Sequence, residues 1–157
     1  MTLFETNAIV FYIMIGSNVL TFEWKRREGG NGKTERDYLD FVIDGEPLSE
    51  KIQGDFVSCL AWSDKEDTEV VRRLLLEDET DFPNNRQSLY VCADCGDLGC
   101  GAVSALIEET GDKIVWRDFG YQNNYEETVY FDNYTKVKSF SFDKAEYEKV
   151  IKNLFIK

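Results

Sequence analysis

The chain has 157 residues, enough for one domain with a sizeable buried core. Asp and Glu number 30 against 18 Lys and Arg, and a formal charge of -12 repels phosphate backbones, which argues against direct nucleic-acid binding. There is no histidine, so the commonest general base and metal ligand are missing, and Ser-His-Asp or Cys-His mechanisms are excluded.

Residues 8–15 (AIVFYIMI) form an apolar run. The segment before it holds Glu5 and no Lys or Arg, so it lacks the positive region of a signal peptide. Spanning a bilayer takes roughly 20 apolar residues, and this run is far shorter. It reads as a buried strand. Val19 to Arg26 reads as a second strand, forming a hairpin with the first around Gly16-Ser17-Asn18. The Gly-rich stretch 28–33 (EGGNGK) lacks phosphate-loop spacing and reads as a hairpin tip. Residues 38–43 (YLDFVI) form a strand that stops at Asp44-Gly45, and 48–54 fit a short helix or a loop. Residues 56–62 (FVSCLAW) read as a strand. Ser63 followed by Glu66 is a capping box, and Val70, Val71, Leu74 and Leu75 supply a helical stripe, which predicts a helix over 63–77.

A loop follows over 78–86, then a strand over 88–92. Residues 100–108 and 113–119 flank Thr110-Gly111-Asp112 as a hairpin. On the second of these strands, alternation places Trp116 with Asp118 on one face and Arg117 with Phe119 on the other. A short strand is expected over 128–131 and another over 138–142. Asp143 caps a last helix with Ala145, Val150, Leu154 and Phe155 as its apolar face. The class is α+β, a single domain over 1–157, with a mostly antiparallel sheet of about seven or eight strands and two main helices.

Cys92, Cys95 and Cys100 lie in CADCGDLGC. Cys-x-x-Cys-Gly is zinc-knuckle spacing: two thiolates reach one ion, and Gly96 lets the backbone N–H groups turn toward sulfur. A fourth ligand would have to come from Cys59, Asp94 or Asp97. A redox reading is weaker, since the motif follows a strand and Asp94 and Asp97 disfavour a thiolate. The residues weigh most toward cysteine as a small hydrophobe around a tight turn, with Cys59 in the core. No cofactor is expected, with zinc on Cys92, Cys95 and Cys100 as the exception. Four cysteines in 157 residues is too sparse for a disulfide scaffold, and reduced thiols in the cytoplasm are expected.

Acidic runs such as 77–81 (EDETD) are ordinarily solvated faces. The segment after Phe119 is more distinctive, because Tyr121, Asn123, Asn124, Tyr125, Glu126 and Glu127 combine aromatic anchors with carboxylates that steer a basic partner. The alternative is that its tyrosines only cover a sheet edge.

The motifs LYVC-x2-CGDLGCGA (Leu89 to Ala102) and VWRDFGY (Val115 to Tyr121) resemble a set of small bacterial proteins of unassigned function, some labelled oxidoreductase. The resemblance covers most of the chain and brings no catalytic residues, and no GxGxxG follows a strand to support the label. Charge, size and the Tyr/Asn/Glu segment favour a non-enzymatic binding protein: an immunity protein that neutralises a basic toxin domain, a nuclease above all, by blocking its active site. The alternative is a small cysteine-based redox enzyme or a zinc-stabilised binding module. Neither nucleic acid nor membrane is an expected partner.

Overall fold

A computed structural model describes residues 16–155. The expected hairpin partner at 8–15 lies outside these residues. Chain order among the described residues is β1 (Leu20–Arg27), β2 (Arg36–Ile43), β3 (Glu46–Pro47), β4 (Phe56–Ser58), α1 (Asp64–Leu74), β5 (Arg86–Cys92), β6 (Ala102–Thr110), β7 (Lys113–Gln122), β8 (Phe140–Asp143) and α2 (Lys144–Lys152). Short 3-10 turns sit at Leu48–Lys51, Leu98–Cys100 and Asp132–Tyr134. The class is α+β. The expected single sheet is two: a three-stranded sheet ordered β1-β2-β3 and a five-stranded sheet ordered β4-β5-β6-β7-β8. All the ladders are antiparallel. The break comes where Pro47, which cannot donate to a ladder, leads into the Leu48–Lys51 turn and redirects the chain.

β1 pairs with β2 from Leu20↔Ile43 to Arg27↔Arg36. The tip is an Asn31-Gly32 turn, with φ of 53° and 81°, closed by paired backbone hydrogen bonds between Gly30 and Lys33. Two left-handed residues in succession give the turn whose twist matches the strands it joins.

The two sheets share one core. Phe41 of β2 meets Tyr90 of β5 at 5.9 Å and Trp116 of β7 at 5.4 Å, both edge to face. Polar stitches cross the same seam: Ser58 donates to the Leu39 carbonyl at 2.6 Å, Tyr90 to the Asp40 carboxylate at 2.6 Å, and Arg36 to the Ala93 carbonyl at 3.1 Å.

α1 starts as its capping box predicts, with the Ser63 hydroxyl accepting from the Glu66 N–H. It ends three residues sooner than expected. Leu76 turns left-handed at φ 60°, the Glu77 N–H reaches the Arg72 carbonyl, and the Leu76 N–H reaches that of Arg73. This is a Schellman stop without glycine. Asp143 caps α2 through the Glu146 N–H. The buried stripe of α2 is Tyr147 and Ile151, whereas Ala145 is exposed. Tyr147 packs on Trp116 and Phe142, and its hydroxyl donates to the Leu74 carbonyl of α1 at 2.7 Å.

Three strand expectations change. β4 stops at Ser58 because Asp67 of α1 accepts from the Ala61 and Trp62 N–H groups, while Ala61 adopts φ 75°. On β7 the alternation breaks at Asp118, which has φ 54°. Register moves from Leu106↔Arg117 to Ser104↔Gly120, so Asp118 and Phe119 together stand opposite Ala105. This bulge leaves Asp118 exposed and turns Phe119 inward, on the same core as Trp116. The strand expected over 128–131 is one bridge, Tyr121 with Tyr130.

Candidate functional site

β5 ends at Cys92 and the chain folds over itself to enter β6 at Ala102. The Gly96 N–H donates to the Cys92 carbonyl at 2.9 Å, with Gly96 left-handed at φ 67°. The turn brings the sulfurs of Cys92, Cys95 and Cys100 within 4.8 Å of one another, a group that could hold a metal ion. Tetrahedral zinc with Zn–S near 2.3 Å spaces its sulfurs about 3.8 Å apart, so the cluster has the right scale. Cys95 and Cys100 are 3.3 Å apart, and the Asp97 N–H donates to the Cys95 sulfur at 3.4 Å. Cys59 belongs instead to the core, where burial pushes its thiol pKa up.

The other two proposed ligands are engaged elsewhere. Asp94 Oδ1 accepts from Arg27 Nη1 at 2.7 Å and from the Thr34 N–H at 3.0 Å, and Asp97 Oδ1 accepts from the Gly99 N–H at 2.8 Å. Among the described residues no fourth cysteine or carboxylate joins the sulfurs. Burial pushes the Cys92 thiol up, but the N–H groups of Cys95 and Asp94 and the neighbouring thiols outweigh it and hold Cys92 below the usual thiol range. Cys100 is pushed up to about 11, chiefly by its side-chain hydrogen bond with Cys95. Opposed shifts of this kind follow when one sulfur of a cluster collects the donors and its neighbour gives one.

A charged clamp fixes this turn to the smaller sheet. Arg27 reaches Asp55 through Nε at 3.1 Å and Nη2 at 2.5 Å, and Asp94 through Nη1. Asp55 is held below its ordinary pKa chiefly by Arg27. Asp94 is lowered first by the Thr34 N–H and then by Arg27. Beside the clamp, the Arg36 guanidinium stacks 3.7 Å from the centre of the Trp62 ring.

The Tyr/Asn/Glu segment lies against the cysteine turn, so two motifs some twenty residues apart build one surface. The Tyr121 hydroxyl donates to the Cys100 carbonyl at 3.1 Å. The Tyr125 ring crosses Gly99 so closely that a Cβ there would sit 2.9 Å from it. Asn123 Oδ1 accepts from the N–H groups of Tyr125 at 2.9 Å and Glu126 at 3.2 Å, an Asx turn that shapes the loop. Glu126 in turn accepts from Tyr130 at 3.0 Å. Of the six residues singled out from sequence, Tyr121 and Asn123 are half-buried and organise the loop, while Asn124, Tyr125, Glu126 and Glu127 are exposed. Tyr125 is 83% exposed, and Tyr130 and Phe131 beyond it are 50% and 44% exposed. Tyr130 belongs to the tyrosine-rich stretch legible in the sequence, whereas Phe131 is not singled out there, because the strand expected over 128–131 gives no sign of which of its side chains stay exposed.

No family model, curated protein or solved structure matches the chain. Among the described residues no helix is long and apolar enough to cross a membrane.

Proposed function

We propose that the protein is an immunity protein that binds a basic toxin domain, a nuclease by preference, and blocks its active site. The observation that carries this reading is the surface around Tyr125: an exposed aromatic on a loop pinned by Asn123, beside the exposed carboxylates of Glu126 and Glu127. An exposed aromatic on a loop already held in shape contributes contact area without a large ordering cost. Carboxylates around it, on a chain of charge -12, complement a surface built to hold phosphates.

The test is co-expression with the toxin domain encoded beside this gene, followed by binding kinetics over a salt series. Raising ionic strength from 0.1 to 1 M shortens the Debye length from ~10 to ~3 Å, so the on-rate is expected to fall steeply while the off-rate moves less. Tyr125→Ala is expected to weaken the complex by about 2 kcal/mol or more, and Glu127→Gln to act mainly on the on-rate. A neighbouring gene without a toxin domain, or a tight complex whose on-rate ignores salt, removes the basis for this reading.

The sulfur cluster favours a second reading, a zinc-binding module. With three protein sulfurs and no fourth ligand in the group among the described residues, protein purified without added zinc is expected to carry well under one equivalent and to stay folded in chelator. Elemental analysis and circular dichroism with and without chelator check this. One equivalent of zinc, lost together with the fold, would establish a closed structural site and favour the module.

A further inference from the structure

Arg86 opens β5 and is 6% exposed, yet among the described residues no carboxylate lies within ion-pair distance of it. Its Nε donates to Ser104 Oγ and Gln122 Oε1, both at 3.1 Å. Its Nη2 donates to the carbonyls of Ser104 at 3.1 Å and Asp118 at 2.5 Å. Phe131 covers the guanidinium from 5.5 Å. The carboxylate whose charge acts on Arg86, that of Asp118, is itself paired with Arg117 at 2.7 Å. Burial lowers the Arg86 pKa by more than the charge of Asp118, which lies beyond ion-pair distance, raises it.

Nη1 has no hydrogen-bond partner among the described residues, and Gln122 Nε2 has none either. Yet among the described residues no buried side-chain nitrogen or oxygen is both sealed and unpartnered. Both donors therefore open onto solvent-accessible space. Arg86 and Gln122 line the same cleft, of about 580 Å³, together with Asn84, Asn123 and Asn124. The bulge at Asp118 builds this place, because it turns the Asp118 carbonyl onto the guanidinium and leaves Asp118's carboxylate outside.

We propose that this cleft binds a carboxylate, received by Arg86 Nη1 and Gln122 Nε2 and framed by the asparagine side chains. A monoanion matches a single cation. Glu126 and Glu127 at the rim make the cleft hostile to a phosphate dianion. Asp81 also lines it, but is held by Arg73, Gln87 and Ser88. The site does not depend on the immunity-protein reading. The carboxylate is either a small molecule or the end of a peptide chain, and the chemistry of recognition is the same.

The experiment follows the Arg86 Nε–H and Gln122 side-chain amide signals by nitrogen-15 NMR on the whole protein. The probes are sodium acetate, a short peptide with a free C-terminal carboxylate, its amidated twin, sodium phosphate, and sodium chloride at matched ionic strength. Saturable shifts with acetate or the free-acid peptide, absent with chloride and with the amidated peptide, are the expected result. Acetate alone points to a small molecule, and tighter peptide binding points to a chain end; both support the site. No saturable shift with either carboxylate, or phosphate binding as tightly as acetate, overturns it. Arg86→Met is expected to abolish binding. If that variant fails to fold, Asn124→Asp at the exposed rim provides the second arm, with an expected weakening of roughly tenfold from one added charge several ångströms away. Unchanged affinity in a folded Asn124→Asp protein overturns the location.

Discussion

Trp116→Ala is expected to destabilise the fold by about 3–5 kcal/mol, the range for deleting a large aromatic from a packed core. Trp116 is fully buried. Its ring meets Phe41 from the smaller sheet at 5.4 Å, Phe142 from β8 at 5.1 Å and Tyr147 from α2 at 6.1 Å, each close to edge-on. Its indole N–H donates to the Tyr147 hydroxyl at 3.3 Å. Alanine removes a side chain that touches both sheets and the last helix, and it also takes away a donor from a buried hydroxyl. Urea denaturation monitored at two wavelengths reads the loss. A change below about 1 kcal/mol, the size of an ordinary surface substitution, contradicts this description of the core.

Gly101→Ala is expected to cost about 3 kcal/mol or more, a large penalty for adding one methyl group. Gly101 has φ 97° and ψ 156°, a region closed to residues with a Cβ. A Cβ there would also overlap the Tyr121 hydroxyl and ring. Relief requires Tyr121 to swing away, which breaks its bond to the Cys100 carbonyl and frees the start of the Tyr/Asn/Glu loop. Denaturation midpoints measure the stability, and near-ultraviolet circular dichroism reports the displaced tyrosine. A variant of wild-type stability with an unchanged tyrosine signal would show that the cysteine turn is not seated on Tyr121.

Much of the fold is written locally. Ser63 with Glu66, and Asp143, announce the two helices of the described residues, since a cap is a short-range bond with a short-range signature. The β6–β7 hairpin follows from Thr110-Gly111-Asp112 for the same reason. What sequence patterning misses comes from partners far along the chain. β4 ends early because Asp67 captures two N–H groups that a longer strand would have used. Phe119 faces inward only because a bulge opposite Ala105 shifts the pleat, and a period-2 reading carries no sign of it. The inner face of α2 is set by Trp116 and Phe142 receiving Tyr147, which an apolar count overlooks because tyrosine carries a hydroxyl.

The candidate site divides in the same way. Three cysteines at close spacing are visible as a cluster, and so is the Tyr/Asn/Glu loop. That the two adjoin is a tertiary fact, held by Tyr121 on Cys100 and Tyr125 on Gly99. The Arg86 cleft leaves even less trace, because an arginine opening a strand ordinarily points to water. Its burial becomes apparent only when Ser104, Gln122 and the Asp118 carbonyl are seen around it.

Asp40 sits on the seam between the sheets, wholly buried, receiving hydrogen bonds from Tyr90 of the opposite sheet and from Ser49, with the Lys25 ammonium 3.7 Å away. The aromatic and aliphatic side chains around it would lose packing in a sheet displaced by one residue, but they could repack in part, since apolar contact is only weakly directional. The carboxylate could not. Such a slip strands an ion in the hydrocarbon interior without its donors, at a cost of several kcal/mol. Asp40 thus acts as an alignment pin: misassembled pairings of the two sheets are penalised by charge, and apolar packing is left free to vary around the one arrangement that survives.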